Sequence, residues 1–300
     1  MLLAFILADI VSRAQFLALE QLSTSKFAGS KFMNRLIQAF FWIGIYLVQI
    51  EMATAQTFVS SQPAPRIEHW QKRQADINTY LNQSNNLGLV KLLFVGDSIT
   101  DFWLFDDNPW VSGQKYGRTI WDQTFATPGT ENYAFNIGIS GDRLEHVLYR
   151  IQPKSEGGLG QLDAPSLKPE FIIVMLGINN SWAVEQPVAE SIYQGILANL
   201  RSLHARKPNS QIVLQSLLPT NDITKNKEIV GVVNQRLQNL VRTEEFSKFT
   251  TFLNLYPLFT DANGQQISGF FTDGLHPNDS GYKIWRDRLI DFLKQARVAR

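Results

Sequence analysis

Five short apolar runs recur between residue 66 and the end of the chain, separated by longer segments with a different pattern. Each run is mostly apolar, as expected of a strand that is buried on both faces of a parallel sheet. These runs predict five strands, at Leu92–Val95, Ala134–Ile137, Phe171–Leu176, Ile212–Leu217 and Thr251–Leu255.

The intervening segments repeat their apolar positions every three to four residues, which is typical of amphipathic helices. They predict helices at Arg66–Gln83, Arg143–Ile151, Val188–Arg206, about Lys227–Glu245 and about Asp279–Gln295. Strands that alternate with helices indicate an α/β protein with a parallel sheet. Because crossovers are right-handed, helices should cover both faces and form a three-layer α/β/α sandwich.

The first 55 residues have the character of a targeting segment. From Met33 the chain shows a basic residue, Arg35, an apolar run at 39–48 and a small-x-small sequence that ends at Ala55. This is the layout of a secretory signal, and the run is short for a membrane-spanning helix. We expect an exported protein, periplasmic or secreted, with Met33 as a candidate initiator; an uncleaved membrane anchor and a buried structural helix are the alternatives.

Three segments follow from this division of the chain. Residues 1–55 are the N-terminal extension with the signal peptide or anchor, residues 56–89 are a linker and the first helix, and residues 90–300 are the main domain. Cleavage after Ala55 would remove four basic and three acidic residues and leave a formally neutral chain with no stable membrane span.

Composition excludes several kinds of chemistry. The 300 residues include no cysteine, so disulfides, thiolate metal sites and a thiol nucleophile are excluded. A formal net charge of +1 gives no general reason to expect a nucleic-acid partner. The four histidines are far apart in sequence, so we predict no metal site, although a single catalytic histidine fits.

Polar and glycine-rich segments follow four of the five predicted strands. They are 96–100, 138–142, 177–180 and, after the last strand, 273–277. In open α/β sheets ligands bind outside the carboxyl ends of the strands, so these segments should meet at one edge. They offer a serine, an amide, backbone N–H groups and an aspartate three residues before a histidine, which are the parts of a serine hydrolase.

The same four segments resemble, in order, the motifs of the GDSL or SGNH hydrolase family over residues 90 to 290. Gly96-Asp97-Ser98 resembles the nucleophile block, and Asp273-x-x-His276 resembles the block with the acid and base. The sequence at 138–150 and 177–180 resembles most the branch around the catalytic subunits of platelet-activating-factor acetylhydrolase and bacterial relatives. Much of the family has Asp at position 180, where this chain has Asn. The resemblance implies a flavodoxin-like, parallel five-stranded sheet.

The resemblance also implies roles for individual residues and no cofactor. Ser98 would be the nucleophile, His276 the general base and acid, and Asp273 the carboxylate that orients it. The oxyanion hole would combine the N–H groups of Ser98 and Gly141 with the Asn179 amide. Asp97 and Asp142 are expected to hold the loops by accepting backbone hydrogen bonds. Asn180 is expected to support Asn179.

Each candidate also has a purely structural interpretation. Ser98 is a favoured residue at a helix N-cap, and Asp273 and His276 could only shape the turn into the last helix. Ser140 is a rival nucleophile, but Asp142 breaks the Gly-x-Ser-x-Gly spacing. Three histidines lie in helical patterns and are expected at the surface or in core packing: His69, His146 and His204. The alternative for His146 is that it approaches the site.

Six aromatic residues flank the site-bearing segments. Core packing is the default for such rings, yet the span 102–117 is too polar to be all core, so some of them are candidates for a substrate cleft. They are Trp103, Phe105, Trp110, Tyr116, Trp121 and Trp182.

The sequence thus predicts an exported serine esterase for small acyl esters, acetyl esters above all. The partner would be a small-molecule, carbohydrate or lipid ester. A lysophospholipase or other lipid acyl hydrolase, and a non-catalytic carbohydrate- or lipid-binding protein on the same fold, are the alternatives. The alcohol part of the ester and the oligomeric state stay open.

Overall fold

A parallel sheet of five strands forms the centre of the protein. The computed structural model describes residues 56–66, 70–107, 112–182 and 185–298. The strands are β1 (Leu92–Gly96), β2 (Ala134–Asn136), β3 (Phe171–Met175), β4 (Gln211–Gln215) and β5 (Thr250–Leu253). All neighbours pair in parallel in the order β2-β1-β3-β4-β5, which is the flavodoxin-like order. The predicted fold class is confirmed.

Helices connect the strands in the alternating pattern that the sequence predicts. They are α1 (Gln71–Gln83), α2 (Ser98–Asp101), α3 (Arg118–Thr124), α4 (Leu144–Ile151), α5 (Val188–Arg206), α6 (Ile223–Lys225), α7 (Gly231–Leu240) and α8 (Asp279–Val298). A π-helical turn at Asn226–Val230 joins α6 to α7, and short 3-10 turns stand at Val59–Ser61, Leu87–Leu89, Phe102–Leu104, Lys154–Glu156, Ile178–Trp182, Tyr256–Leu258 and Ser268–Phe270.

Two helix predictions differ from the structure at the ends. The helix predicted at 66–83 starts only at Gln71. The helix predicted at 227–245 starts earlier because the Asp222 side chain accepts a hydrogen bond from the Lys225 N–H at 2.9 Å and caps α6. It ends at Leu240, whose carbonyl accepts from the Thr243 N–H and hydroxyl instead of continuing the helix. Helix α3, which lies between β1 and β2, was not predicted.

The helices divide between the two faces of the sheet. Helix α4 contacts α5, and α5 contacts α7, whereas α3 contacts α8. Right-handed crossovers place these two groups on opposite faces. Every residue of β1 and β3 is therefore buried, and the polar segments that follow them emerge at the carboxyl edge of the sheet.

No helix in the described part of the chain has both the length and the apolar character needed to cross a membrane. The predicted signal or anchor at 1–55 lies outside the described residues, and the proposed segment boundaries stay predictions.

Candidate active site

Ser98 is the first residue of helix α2, which follows strand β1 directly. Its neighbour Asp97 is the N-cap of α2 and accepts a hydrogen bond from the Ile99 N–H at 3.0 Å, as a short polar side chain does at a helix start. The Tyr282 hydroxyl of α8 donates to the Ile99 carbonyl at 2.8 Å and fixes the same turn. Ser98 is thereby held at the carboxyl end of β1, with 6% of its surface exposed.

A chain of hydrogen bonds connects Ser98 to the last predicted motif. The Ser98 Oγ lies 2.9 Å from the His276 Nε2, and the His276 Nδ1 lies 2.7 Å from the Asp273 Oδ2. The other Asp273 oxygen accepts from the backbone N–H groups of Leu275 and His276 at 3.0 and 2.8 Å. The structure thus brings together three residues that are up to 178 positions apart, with the serine, imidazole and carboxylate in the order that a nucleophile and its base require.

The pKa values of the two aspartates nearest to Ser98 and His276 are shifted in opposite directions. Burial acts to raise the pKa of Asp273, but the hydrogen bonds from the His276 ring and backbone outweigh it and lower the pKa to about 2. Asp273 is therefore ionised at neutral pH and can hold His276 in one tautomer. Burial raises the pKa of Asp97 to about 7, against the effect of its bond from Ile99, so a substantial fraction of Asp97 is protonated near neutrality.

The expected oxyanion donors are available for a ligand. Gly141 has a φ of +77°, which glycine adopts readily, and neither its N–H nor that of Ser98 has a protein acceptor among the described residues. The Asn179 amide donates one of its two hydrogens to the Asp142 carbonyl at 2.8 Å, and the second has no acceptor among the described residues. Gly141 and Asn179 line one cleft of about 450 Å³.

The supporting residues hold these loops in different ways. Asn180, 3% exposed, accepts from the Leu144 N–H at 3.0 Å and donates to the Glu145 carboxylate at 2.9 Å, so it fixes the start of α4 behind Asn179. Asp142 differs from the expectation that it accepts backbone hydrogen bonds. Its carboxylate lies 2.7 Å from Arg150 Nε and 3.3 Å from Arg66 Nη1, because these two guanidinium groups surround the fully buried side chain.

Three arginines outside the predicted set of site residues tie the site-bearing loops together. Arg150 is fully buried and also donates to the Ile137 carbonyl at 2.8 Å. Arg73 of α1 donates to the Asp101 carboxylate at 2.9 Å, to the carbonyl of Asn136 at the end of β2 and to the carbonyl of Gly138 in the loop after it. Arg66 donates to the Ser140 carbonyl at 2.6 Å. The local sequence does not mark Arg66 or Arg73, because their partners are 28 to 76 residues away. Arg150 lies in the segment 138–150 that resembles the family, 8 residues after its partner Asp142.

The alternative candidates have other partners. The Ser140 hydroxyl donates to the Asp101 carboxylate at 3.1 Å. His146 accepts from the Arg143 N–H at 3.0 Å, and burial, with nearby arginines, lowers its pKa to about 4, so it is neutral. His204 stacks on Phe249 with the ring centres 3.8 Å apart. His69 lies outside the described residues.

Most of the aromatic residues near the site belong to the core. Trp103, Tyr116 and Trp121 are buried, and Phe105 packs against the core. Trp182 is 56% exposed and lines the cleft with Gly141, Arg143 and Asn179. Among the described members of the six aromatic residues, Trp182 is therefore the one that lines this cleft. Trp110 lies outside them.

Comparison with known proteins connects this geometry to a family. Residues 94–284 match the GDSL-like lipase/acylhydrolase family. The chain belongs to this family. The resemblance found in the sequence is confirmed, and the protein is an enzyme that hydrolyses esters.

Relatives of the GDSL-like chain carry a related description. This chain is 31% identical over 196 residues to the alpha2 subunit of platelet-activating factor acetylhydrolase IB of Rattus norvegicus. The match covers 64% of this chain and 70% of the relative. The alpha1 subunit of Homo sapiens is 25% identical over 197 residues, with the same coverage. A solved GDSL-like lipase from Bacteroides thetaiotaomicron has the same fold, with a TM-score of 0.53 and 20% identity over 75% of this chain and 97% of that one.

Proposed function

We propose that this GDSL-like enzyme is a serine esterase for small acyl esters, acetyl esters above all, with Ser98, His276 and Asp273 as its catalytic triad. The observation that carries the proposal is the unbroken chain of hydrogen bonds from Ser98 Oγ through both nitrogens of His276 to the ionised Asp273. Ser98 Oγ and His276 Nε2 lie at a distance at which a proton can be transferred, and Asp273 is bonded to the other ring nitrogen, where it orients the imidazole.

In the first half of the reaction, Ser98 Oγ attacks the carbonyl carbon of the ester while His276 Nε2 takes its proton. The carbonyl oxygen becomes an oxyanion that accepts hydrogen bonds from the Ser98 N–H, the Gly141 N–H and the Asn179 amide. His276 then gives the proton to the alcohol oxygen as its bond to the carbonyl carbon breaks. The alcohol leaves, and the acyl group stays on Ser98 as an ester.

The second half repeats these steps with water. His276 takes a proton from a water molecule, whose oxygen attacks the acyl carbon, and the proton passes to Ser98 Oγ as the acyl–serine bond breaks. A carboxylic acid is released and the serine is restored. Asp273 stays ionised throughout and stabilises the imidazolium that forms twice.

Substitution of the nucleophile tests the triad. Ser98→Ala should abolish hydrolysis of an aryl acetate and keep the melting temperature, because the hydroxyl contributes a single hydrogen bond to the fold. Ser140→Ala is the matched control: Ser140 is also on a site-bearing loop and bonded to a carboxylate, and its loss should leave most of the activity. Full activity of folded Ser98→Ala would refute the assignment. A wild-type protein that binds esters or sugars without turnover would favour the binding-protein alternative.

The acetyl preference is supported by the relatives described as platelet-activating factor acetylhydrolase subunits. It is tested with a series of aryl esters of increasing acyl length, followed by a lysophospholipid. We expect kcat/KM to be highest for acetate and to fall for octanoate. A maximum at octanoate together with cleavage of the lysophospholipid would instead identify a lipid acyl hydrolase.

We also propose that the protein is exported after cleavage behind Ala55, with a membrane-anchored form as the alternative. The support is the charged, apolar and small-x-small order of residues 33–55. The intact mass of the protein from the culture medium or periplasm should correspond to a chain that starts at Gln56. The mass of the uncleaved chain in the membrane fraction would favour the anchor.

A further inference from the structure

The segment before α1 lies outside the family match, yet it is fixed on the domain. Ser60 is fully buried, and its hydroxyl donates to the Ser191 carbonyl of α5 at 2.7 Å. The Ala64 N–H, between two prolines, donates to the Glu145 carbonyl of α4 at 3.0 Å. The chain is therefore held at two helices before it reaches Arg66.

Arg66 reaches the oxyanion loop from this fixed position, across 74 residues of sequence. Its Nη1 donates to the Ser140 carbonyl at 2.6 Å and to the Asp142 carboxylate at 3.3 Å, on either side of Gly141. A Cβ atom on Gly141 would lie 2.6 Å from Arg66 Nη2, so the guanidinium lies directly against this glycine. Hydrogen bonds from a charged donor are among the strong ones in proteins.

The bond to Ser140 also determines where Gly141 directs its N–H. The Ser140 carbonyl and the Gly141 N–H belong to one planar trans peptide group, in which they point in opposite directions. A guanidinium that holds the carbonyl on one side thus keeps the N–H directed to the other side. Without that bond the peptide could rotate, because Gly141 tolerates many φ and ψ values.

Within the described part of the chain, Asp142 has a second guanidinium partner, but the Ser140 carbonyl does not. Arg150 holds the Asp142 carboxylate at 2.7 Å independently of Arg66. Asp101 accepts from the Ser140 N–H, which lies in the preceding peptide group and leaves the Ser140–Gly141 peptide free to turn. Among the described residues, Arg66 is the donor that holds the Ser140 carbonyl.

We propose that Arg66 is a positioning residue that keeps the Ser140–Gly141 peptide in the orientation in which the Gly141 N–H serves the oxyanion hole. This inference rests on the proposed esterase function. It assigns a part of the active site to the segment that precedes the family domain, so the residues before α1 contribute to catalysis as well as connecting the domain to what precedes it.

The test compares two arginines in the full chain. Arg66→Met keeps the apolar stem and removes the donors. Arg297→Met is the control, because Arg297 has a similar side-chain exposure, 16% against 19%, and similar bonds: 2.6 Å to the Glu131 carbonyl and 3.3 Å to the Glu170 carboxylate. The Arg297 bonds lie on the loop before β2 and at the start of β3, at the other end of the sheet.

We expect Arg66→Met to lower kcat for an aryl acetate by roughly tenfold to a hundredfold, since a misplaced or lost oxyanion donor costs about that much or more. KM should stay within about twofold, because the contact matters most in the transition state. Arg297→Met should show a similar drop in melting temperature and an unchanged kcat. Arg66→Lys, which keeps one charged donor, should restore part of the kcat, and it serves as the test variant if Arg66→Met does not fold.

Three results would overturn the inference. They are a wild-type kcat in folded Arg66→Met, a rise in KM alone, and an equal loss of kcat in Arg297→Met. If Arg66→Met does not fold, a kcat of Arg66→Lys no different from that of Arg297→Met would also overturn it. Failure of the proposed function itself would look different, because the wild-type protein would neither hydrolyse the acetate nor react with a fluorophosphonate at Ser98.

Discussion

Gly141→Ala combines a local strain with a loss of function, and the two effects can be separated. The backbone φ of +77° is unfavourable for any residue with a Cβ atom, and the new methyl group would lie 2.6 Å from Arg66 Nη2 and 3.0 Å from Nη1. The guanidinium has little freedom to yield, because its Nη1 is bonded to the Ser140 carbonyl at 2.6 Å. The loop must therefore move, and the Gly141 N–H moves with it.

The magnitudes follow from these contacts. A left-handed conformation costs a non-glycine residue roughly 1–2 kcal/mol. In a domain of this size each kcal/mol lowers the melting temperature by about 2–4 °C, so a loss of roughly 2–8 °C is expected. Displacement of one oxyanion donor should lower kcat by about 100-fold to 1,000-fold.

Gly129→Ala is the control for the strain alone. Gly129 has a φ of +83°, and a Cβ atom there would meet nothing within 4 Å. It lies on the loop that leads into β2, at the opposite end of the strand from Gly141. Thermal melting and aryl acetate kinetics on both variants should show similar losses of stability but a kcat defect in Gly141→Ala alone. Equal, wild-type kcat values in both variants would show that the Gly141 N–H is not an oxyanion donor.

Three further substitutions test the surrounding interactions. Asn179→Ala should lower kcat by roughly 100-fold while costing only about 1 kcal/mol of stability for its bond to Asp142, and a kcat within threefold of wild type would contradict the role of its amide. Asp142→Asn should lower the free energy of unfolding in urea by about 3–5 kcal/mol, because it leaves the buried Arg150 without its carboxylate; a loss under about 1 kcal/mol would contradict this. Burial raises the pKa of Asp97 from its ordinary 3.8 to about 7. The contribution of protonated Asp97 to the free energy of unfolding is therefore fully present below pH 3.8 and is lost as the pH rises to about 7. Asp97→Asn, which cannot ionise, should therefore lose less stability than wild type between about pH 4 and 7 in denaturant titrations, and an equal loss in both would contradict the raised pKa.

Local patterns were sufficient to predict the strands and the motifs that follow them. Each strand is a short apolar run ended by a glycine or polar residue, so β1 and β3 were found within one residue of their observed ends. The carboxyl-edge rule then placed Ser98 and His276 near each other, and the structure shows the bond between them.

The contacts that hold the site could not be predicted in the same way. The partners of Arg66 and Arg73 are 28 to 76 residues away, and those contacts exist only after the loops have come together. The expectation for Asp142 failed because an aspartate in a turn usually accepts nearby backbone N–H groups, but the guanidinium groups of Arg66 and Arg150 bind this one. Arg66 comes from a segment 76 residues away, and the adjoining helix α4 places Arg150 beside the carboxylate. The aromatic residues near Phe102 were likewise ambiguous because their burial depends on α8, which is distant in sequence.

The central claim is that Ser98 is the nucleophile, and its covalent adduct tests this most directly. The protein is treated with a fluorophosphonate, digested with trypsin and examined by mass spectrometry. The tryptic peptides that contain Ser98 and Ser140 are different, residues 92–115 and 119–143, so one digest separates the two candidates. The added mass should lie on Ser98 in peptide 92–115 and be absent from His276→Ala. An adduct on Ser140, or no adduct on a folded wild-type protein, would contradict the mechanism.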